Sequence, residues 1–188
     1  MDFKPLLIDG AFEVIPKFLR DDRGSFTTTY DTSTFSQVGL STNWVADNQS
    51  FNYKCGTLRG LHFQKPPSAQ AKFVRTLIGR IFDVLVDLRP ESPTFLKWDS
   101  IVLNDETANG VYIPKGCAHG YLTLTDGCIV SYKVDTHYDP QSEGGFLWND
   151  PAFGILWPST EKEFIISPKD RNWQIFDSSS NPFAVLLG

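Results

Sequence analysis

Short apolar runs, many alternating with polar residues at a period of two, recur along the whole chain. They fall at 11–20, 72–79, 81–88, 98–103, 110–114, 119–125 and 128–135. A period of two is that of a strand with one buried face. Turn chemistry separates the runs, as in Arg89-Pro90-Glu91-Ser92-Pro93 and Asp126-Gly127, so the spacing predicts an antiparallel sandwich or barrel. A short helix is expected at 32–38, with Thr32 or Ser33 as N-cap and Gly39 after its end, and a second near 159–164 following Pro158. No internal repeat, low-complexity tract or linker breaks the pattern, so residues 1–188 read as one domain.

Two of the runs have unusual faces. In Ile81-Phe82-Asp83-Val84-Leu85-Val86-Asp87-Leu88, one face holds Phe82, Val84, Val86 and Leu88, while the other interleaves Asp83 and Asp87 with Ile81 and Leu85. In the run 128–134, Tyr132 shares a face with Cys128, Val130 and Val134. Carboxylates and a phenol on apolar faces are expected where a barrel interior holds a polar ligand. The plainer alternatives are a solvent-facing edge for the two aspartates and a satisfied core position for Tyr132.

Composition narrows the class. The chain has 188 residues, enough for a sizeable core, and its 14% aromatics, 14 Gly and 12 Pro favour strands and turns over long helices. A formal charge of −5 with no basic block argues against a nucleic-acid surface. No apolar run approaches the ~20 residues a membrane-spanning helix needs. Met1-Asp2-Phe3-Lys4-Pro5 lacks the apolar core of a signal peptide. Cys55, Cys117 and Cys128 form no CxxC pair and leave one over from any disulfide, so a reduced, cytoplasmic setting is expected.

The chemistry concentrates in three short motifs. Arg59-Gly60-Leu61-His62-Phe63-Gln64 sets a guanidinium and an imidazole three residues apart. On a regular strand these would face opposite ways, but Gly60 permits a bend or bulge that turns both toward one cavity. An Arg that forks onto phosphate beside a His that moves a proton suggests a phosphorylated substrate and acid–base chemistry. Pro114-Lys115-Gly116-Cys117-Ala118-His119-Gly120 resembles half of the pattern by which cupin barrels carry a metal-binding His. The earlier half offers only His62, and His137 sits on a separate segment. Two imidazoles without a nearby carboxylate make a weak metal site, so no metal and no cofactor are expected. In Ser167-Pro168-Lys169-Asp170, Pro168 is expected to hold the segment extended, with Lys169 and Asp170 facing opposite ways. Asp170 is then a candidate to orient His62 and stabilise its imidazolium.

Over about residues 3 to 176 the chain resembles the dTDP-4-dehydrorhamnose 3,5-epimerases, metal-free sugar-nucleotide epimerases of the cupin fold. The matching pieces are Asp22 to Phe26, Asp47 to Ser50, Leu58 to Gln64, Ala71 to Arg75, Gly79 to Arg89 with Ser92-Pro93-Thr94, and Ile113 to Tyr121. Tyr132-Lys133, Tyr138, Trp148 to Pro151 and Ser167 to Asp170 complete the set, in order and at matching spacing. The fold this implies is all-β, a cupin-type jelly-roll barrel with a few short flanking helices.

The activity the resemblance implies is inversion at C3 and C5 of a nucleotide-linked 4-keto-6-deoxy sugar, most simply dTDP-4-keto-6-deoxyglucose. His62 matches the family's base, Tyr132 its acid on the other face, Asp170 the carboxylate paired with the His, and Lys72 the group beside the enolate oxygen. Arg59, His119, Lys169, Glu143, Asn48 and Arg23 match substrate-binding positions, and Tyr138 the stacking partner of the nucleotide base. A homodimer is implied, with the N-terminal segment around Arg23 exchanged between subunits. Neither nucleic acid nor membrane is an expected partner. The chain departs from the family pattern at Ala46 and Thr28, where Gln and Glu are usual. A mono-epimerase, an enzyme for a GDP- or CDP-linked sugar, and a non-catalytic sugar-nucleotide-binding cupin are therefore the alternatives.

Overall fold

The computed structural model describes residues 1–159 and 163–184. In chain order the described elements are β1 (Asp2–Pro5), β2 (Phe12–Ile15), β3 (Phe18–Asp21), β4 (Gly24–Thr27), α1 (Thr32–Gln37), β5 (Ala46–Asn52), β6 (Thr57–Gln64) and β7 (Lys72–Ile78). There follow β8 (Arg80–Asp87), β9 (Trp98–Asn104), β10 (Gly110–Ile113), β11 (Cys117–Thr123), β12 (Cys128–Val134), β13 (Glu143–Gly145), β14 (Ile165–Ile166), α2 (Pro168–Arg171) and a 3₁₀ turn at Ser178–Ser180.

The strands build an all-β jelly roll of the cupin type from two main sheets. One runs β1-β2-β10-β7-β12-β5 and the other β13-β6-β11-β8-β9, with β14 added beside β6; β3 and β4 form a separate hairpin. The interior core includes Ile81, Leu85, Val74, Val111, Ile113, Cys128 and Val130, with Tyr132 packed against it. This is one face each of β8 and β12, as their alternation requires. The other face of β8, Val84 and Val86, with Leu88 just after it, packs with Phe146, Phe153 and Phe183 from the C-terminal third. β8 is thus covered on both sides, which is why both of its faces are apolar. Helix α1 covers the first sheet by setting Phe35 against Phe73.

Several expectations are corrected. The run at 11–20 is two strands, because Pro16 between them has no N–H to give a ladder. The N-cap of α1 is Asp31, one residue earlier than expected, whose Oδ1 accepts the Thr34 N–H at 2.8 Å. The segment 167–170 is a helical turn and not extended: Ser167 accepts the Asp170 N–H at 3.0 Å, and Pro168 stands first in α2, where its missing N–H costs nothing. Asp87 faces the interior and is fully buried, so it is neither a solvent edge nor a ligand group. It bonds Arg89 at 2.8 Å and Thr94 at 2.7 Å, fixing the turn after β8. The helix expected near 159–164 includes residues 160–162, which lie outside the described set.

Candidate active site

The site begins with a bulge. Between β6 and β11, His62 stands opposite His119 and Arg59 opposite Tyr121, so Gly60 and Leu61 together face Gly120. One extra residue reverses the alternation and brings Arg59 and His62 to one side. Gly60 has φ +121°, and a Cβ there would lie 2.5 Å from the Gly120 Cα. Only glycine serves, because both the conformation and the strand contact exclude a side chain. Arg59, His62, His119, Lys72, Tyr121 and Tyr132 line one cavity of 210 Å³. A second of 220 Å³ shares His62, Lys72 and Tyr132 and adds Asn48, Ala46, Tyr138 and Glu143.

His62 donates from Nε2 to Asp170 Oδ1 at 2.7 Å. That pairing leaves Nδ1 as the nitrogen able to take a proton. Asp170 is buried, and its other oxygen accepts the Gly60 N–H at 3.3 Å. Burial pushes its carboxyl up, but the bonds from His62, Gly60 and Trp173 outweigh that and hold it below the usual range. The bend that aims His62 therefore also supplies a donor to its carboxylate.

Lys72 and Tyr132 come from the opposite sheet, on β7 and β12. Tyr132 is half-buried; burial raises its hydroxyl above the ordinary value despite the pull of Arg59, so it stays protonated. Burial lowers the Lys72 ammonium to about 8, with Asp83 and Glu143 acting to keep it charged. The cavity thus has an imidazole backed by a carboxylate on one wall. A protonated phenol and an ammonium stand on the other.

His119 enters from the turn Pro114-Lys115-Gly116, where Gly116 takes φ +88° and returns the chain into β11. Its Nε2 donates to Asp83 Oδ2 at 2.8 Å, and Asp83 is fully buried. Each cavity histidine therefore has a carboxylate: Asp170 for His62, as the sequence suggested, and Asp83 for His119, which the sequence reading had not paired. The partner of His119 lies on β8, 36 residues away in the chain. Among the described residues no three His, Cys, Asp or Glu side chains cluster as metal ligands would.

The remaining binding candidates divide. Arg59 donates to Asn52 Oδ1 at 2.8 Å, and Asn48 projects inward from β5 beside Ala46 and Ser50. Tyr138 donates to Glu143 Oε2 at 2.9 Å, and Lys169 donates to Glu143 Oε1 at 2.6 Å. Glu143 joins these two exposed residues to the cavity it lines. Arg23 is not among the cavity residues: it lies on the β3–β4 hairpin, 90% exposed and paired with Asp21 at 2.7 Å. Sequence reasoning left Asp83, Tyr121, Ser50 and Trp173 out of the candidate set. Alternation along 81–88 had placed Asp83 on a face with Ile81 and Leu85, open between a barrel interior and a solvent-facing edge; nothing local marks Trp173.

The family described as dTDP-4-dehydrorhamnose 3,5-epimerase matches residues 5–178. A protein of that name from Methanothermobacter thermautotrophicus is 45% identical over 168 residues, 89% of this chain and 90% of the relative. The crystal structure of dTDP-4-dehydrorhamnose 3,5-epimerase from Elizabethkingia anophelis superposes with TM-score 0.91 at 38% identity, covering 96% of this chain and 98% of that one. A Legionella pneumophila epimerase solved in complex with dTDP-4-keto-L-rhamnose superposes with TM-score 0.87 at 35% identity, covering 93% and 92%.

Proposed function

The chain belongs to the dTDP-4-dehydrorhamnose 3,5-epimerase family, and from that premise we propose how its side chains invert C3 and C5 of dTDP-4-keto-6-deoxyglucose. The C4 ketone acidifies the protons on both neighbouring carbons. His62 Nδ1 takes one of them, and Asp170 stabilises the imidazolium that results. The electron pair left on carbon moves onto the ketone oxygen as an enolate, beside which Lys72 supplies preorganised positive charge. Tyr132 then returns a proton to the same carbon from the other side, which inverts it. The ketone re-forms, and the two groups regain their starting protonation through solvent before the second centre reacts.

The observation that carries this reading is the separation of His62–Asp170 and Tyr132 onto facing sheets with one cavity between them. A base and an acid on one wall would return the proton to the face it left. Arg59 and His119 suit the diphosphate, Arg59 by its planar fork. Tyr138, 63% exposed at the mouth, suits the thymine ring; Glu143, Lys169 and Asn48 suit sugar and nucleotide hydroxyls.

The working unit is a homodimer of single-domain chains in the cytoplasm. Its support is the β3–β4 hairpin, which holds Arg23 away from its own cavity and exposes Leu19 at 70% and Phe26 at 67%. Apolar residues at that exposure beside a cation suit a segment that completes a second subunit. Among the described residues no helix is long and apolar enough to cross a membrane.

The test separates the two proton transfers. Tyr132→Phe should still wash deuterium from heavy water into the substrate while inversion falls far more than exchange; His62→Ala should lose both. Exchange that survives in His62→Ala refutes the base assignment.

A further inference from the structure

We propose that Trp173 is a positioning residue for the base: its indole N–H shares Asp170 Oδ1 with His62 and locks the carboxylate behind the imidazole. The proposal rests on His62 acting as the base.

Trp173 follows α2 by two residues and lies half-buried between that turn and β13. Its Nε1–H donates to Asp170 Oδ1 at 3.3 Å, the same oxygen that takes the His62 Nε2–H at 2.7 Å. With Gly60 N–H on Oδ2 at 3.3 Å, two donors from β6 and one from the segment after α2 hold one buried carboxylate. An indole N–H only donates, so it fixes the oxygen without competing for the imidazole proton. The Trp173 ring stands edge-on to His62 at 6.3 Å and 67°.

Two further contacts make the position specific to a large ring. A Cβ at Gly145 would meet Trp173 Cε2 at 2.5 Å, so Gly145, opposite His62 on β13, leaves room for the indole. The Lys169 ammonium sits over the ring, 5.6 Å from its centre, while bonding Glu143 at 2.6 Å. One side chain thereby braces both the carboxylate behind the base and the cation at the cavity mouth.

The expected effect follows from the shared oxygen. Without the indole donor the carboxylate is held by β6 alone, and the imidazole it orients loses part of its fixed direction toward the substrate carbon.

Trp173→Phe keeps a ring in the Gly145 space and deletes the donor. Its kcat at neutral pH should fall severalfold with KM within about twofold. Trp173→His, which restores a ring N–H, should recover part of the lost kcat. A Trp173→Phe enzyme with wild-type kcat overturns the proposal. Should the variants not fold, the intact protein decides: of its five Trp indole N–H signals, one should change its chemical shift between the wild type and His62→Asn. Absence of any such signal also overturns the proposal. That readout follows the Trp173–Asp170–His62 link even if another group removes the proton, so it can fail separately from the base assignment.

Discussion

Lys72 gives the sharpest quantitative expectation. Its ammonium is lowered from 10.5 to about 8, by burial first, with the nearby carboxylates Asp83 and Glu143 opposing the fall. If the enolate oxygen requires the charged form, kcat/KM is level below about pH 7, is halved near pH 8 and declines above it. With that midpoint, about one-tenth of Lys72 is charged at pH 9 and about one-hundredth at pH 10, so the rate should fall tenfold per unit. Tyr132 does not account for this limb, because burial raises its hydroxyl above the ordinary phenol value. The assay is the initial rate of deuterium entry into the sugar, read by proton NMR between pH 6 and 10. Asp83→Asn removes the first of the two carboxylates that keep Lys72 charged and should move the limb down by about one unit. Lys72→Arg, whose guanidinium stays charged throughout, should abolish the limb even if its peak rate is lower. A limb near pH 8 that is unchanged in both variants refutes the role given to Lys72.

Three further outcomes are expected. Asp170→Asn presents a single acceptor oxygen to three donors and turns its amide against at least one of them. Losing a charge-assisted bond worth about 1.5–3 kcal/mol should cut kcat roughly 10- to 150-fold with the circular dichroism spectrum unchanged, and a loss below threefold counts against the dyad. Gly60→Ala forces a Cβ into the Gly120 backbone at φ +121°; a drop in melting temperature of several degrees and loss of activity are expected, and wild-type behaviour would show the bulge is not needed. Mixing inactive Arg23→Ala and His62→Ala chains should recover up to about one quarter of wild-type activity if Arg23 serves the partner's cavity, since half the dimers then hold one intact site. No recovery from subunits shown to exchange refutes that arrangement.

Much of this was legible in the sequence, for reasons that differ by residue. A period of two fixes which residues of β8 and β12 share a face, so Asp83 and Tyr132 were identifiable as polar groups on apolar faces, while which face looks into the cavity was settled only by the fold. Gly60 between two chemical side chains announced the bulge, because reversing a strand's alternation takes an extra residue and glycine alone fits the contact with Gly120. What was not legible is what depends on distant partners. The pairing of His119 with Asp83 is set by the register of β11 on β8, and no local pattern states a register. Trp173 reads as one aromatic among many until α2 turns it onto Asp170. Ser167 to Asp170 was misjudged because Pro168 suits an extended strand and the first position of a helix equally, and the capping bond from Ser167 decides between them. Arg23 matched a binding position but is 90% exposed and lines neither cavity; that its segment serves a partner subunit came from the family resemblance, since no pattern within one chain says whose cavity a residue serves.

The most direct test is to incubate dTDP-4-keto-6-deoxyglucose with the wild-type protein in heavy water and read C3 and C5 by proton NMR. Deuterium at both carbons, with both configurations inverted in the product, is the expected result, and means that Ala46 on the cavity wall and Thr28 are tolerated. Exchange confined to one carbon, or none from folded protein, would contradict the double inversion.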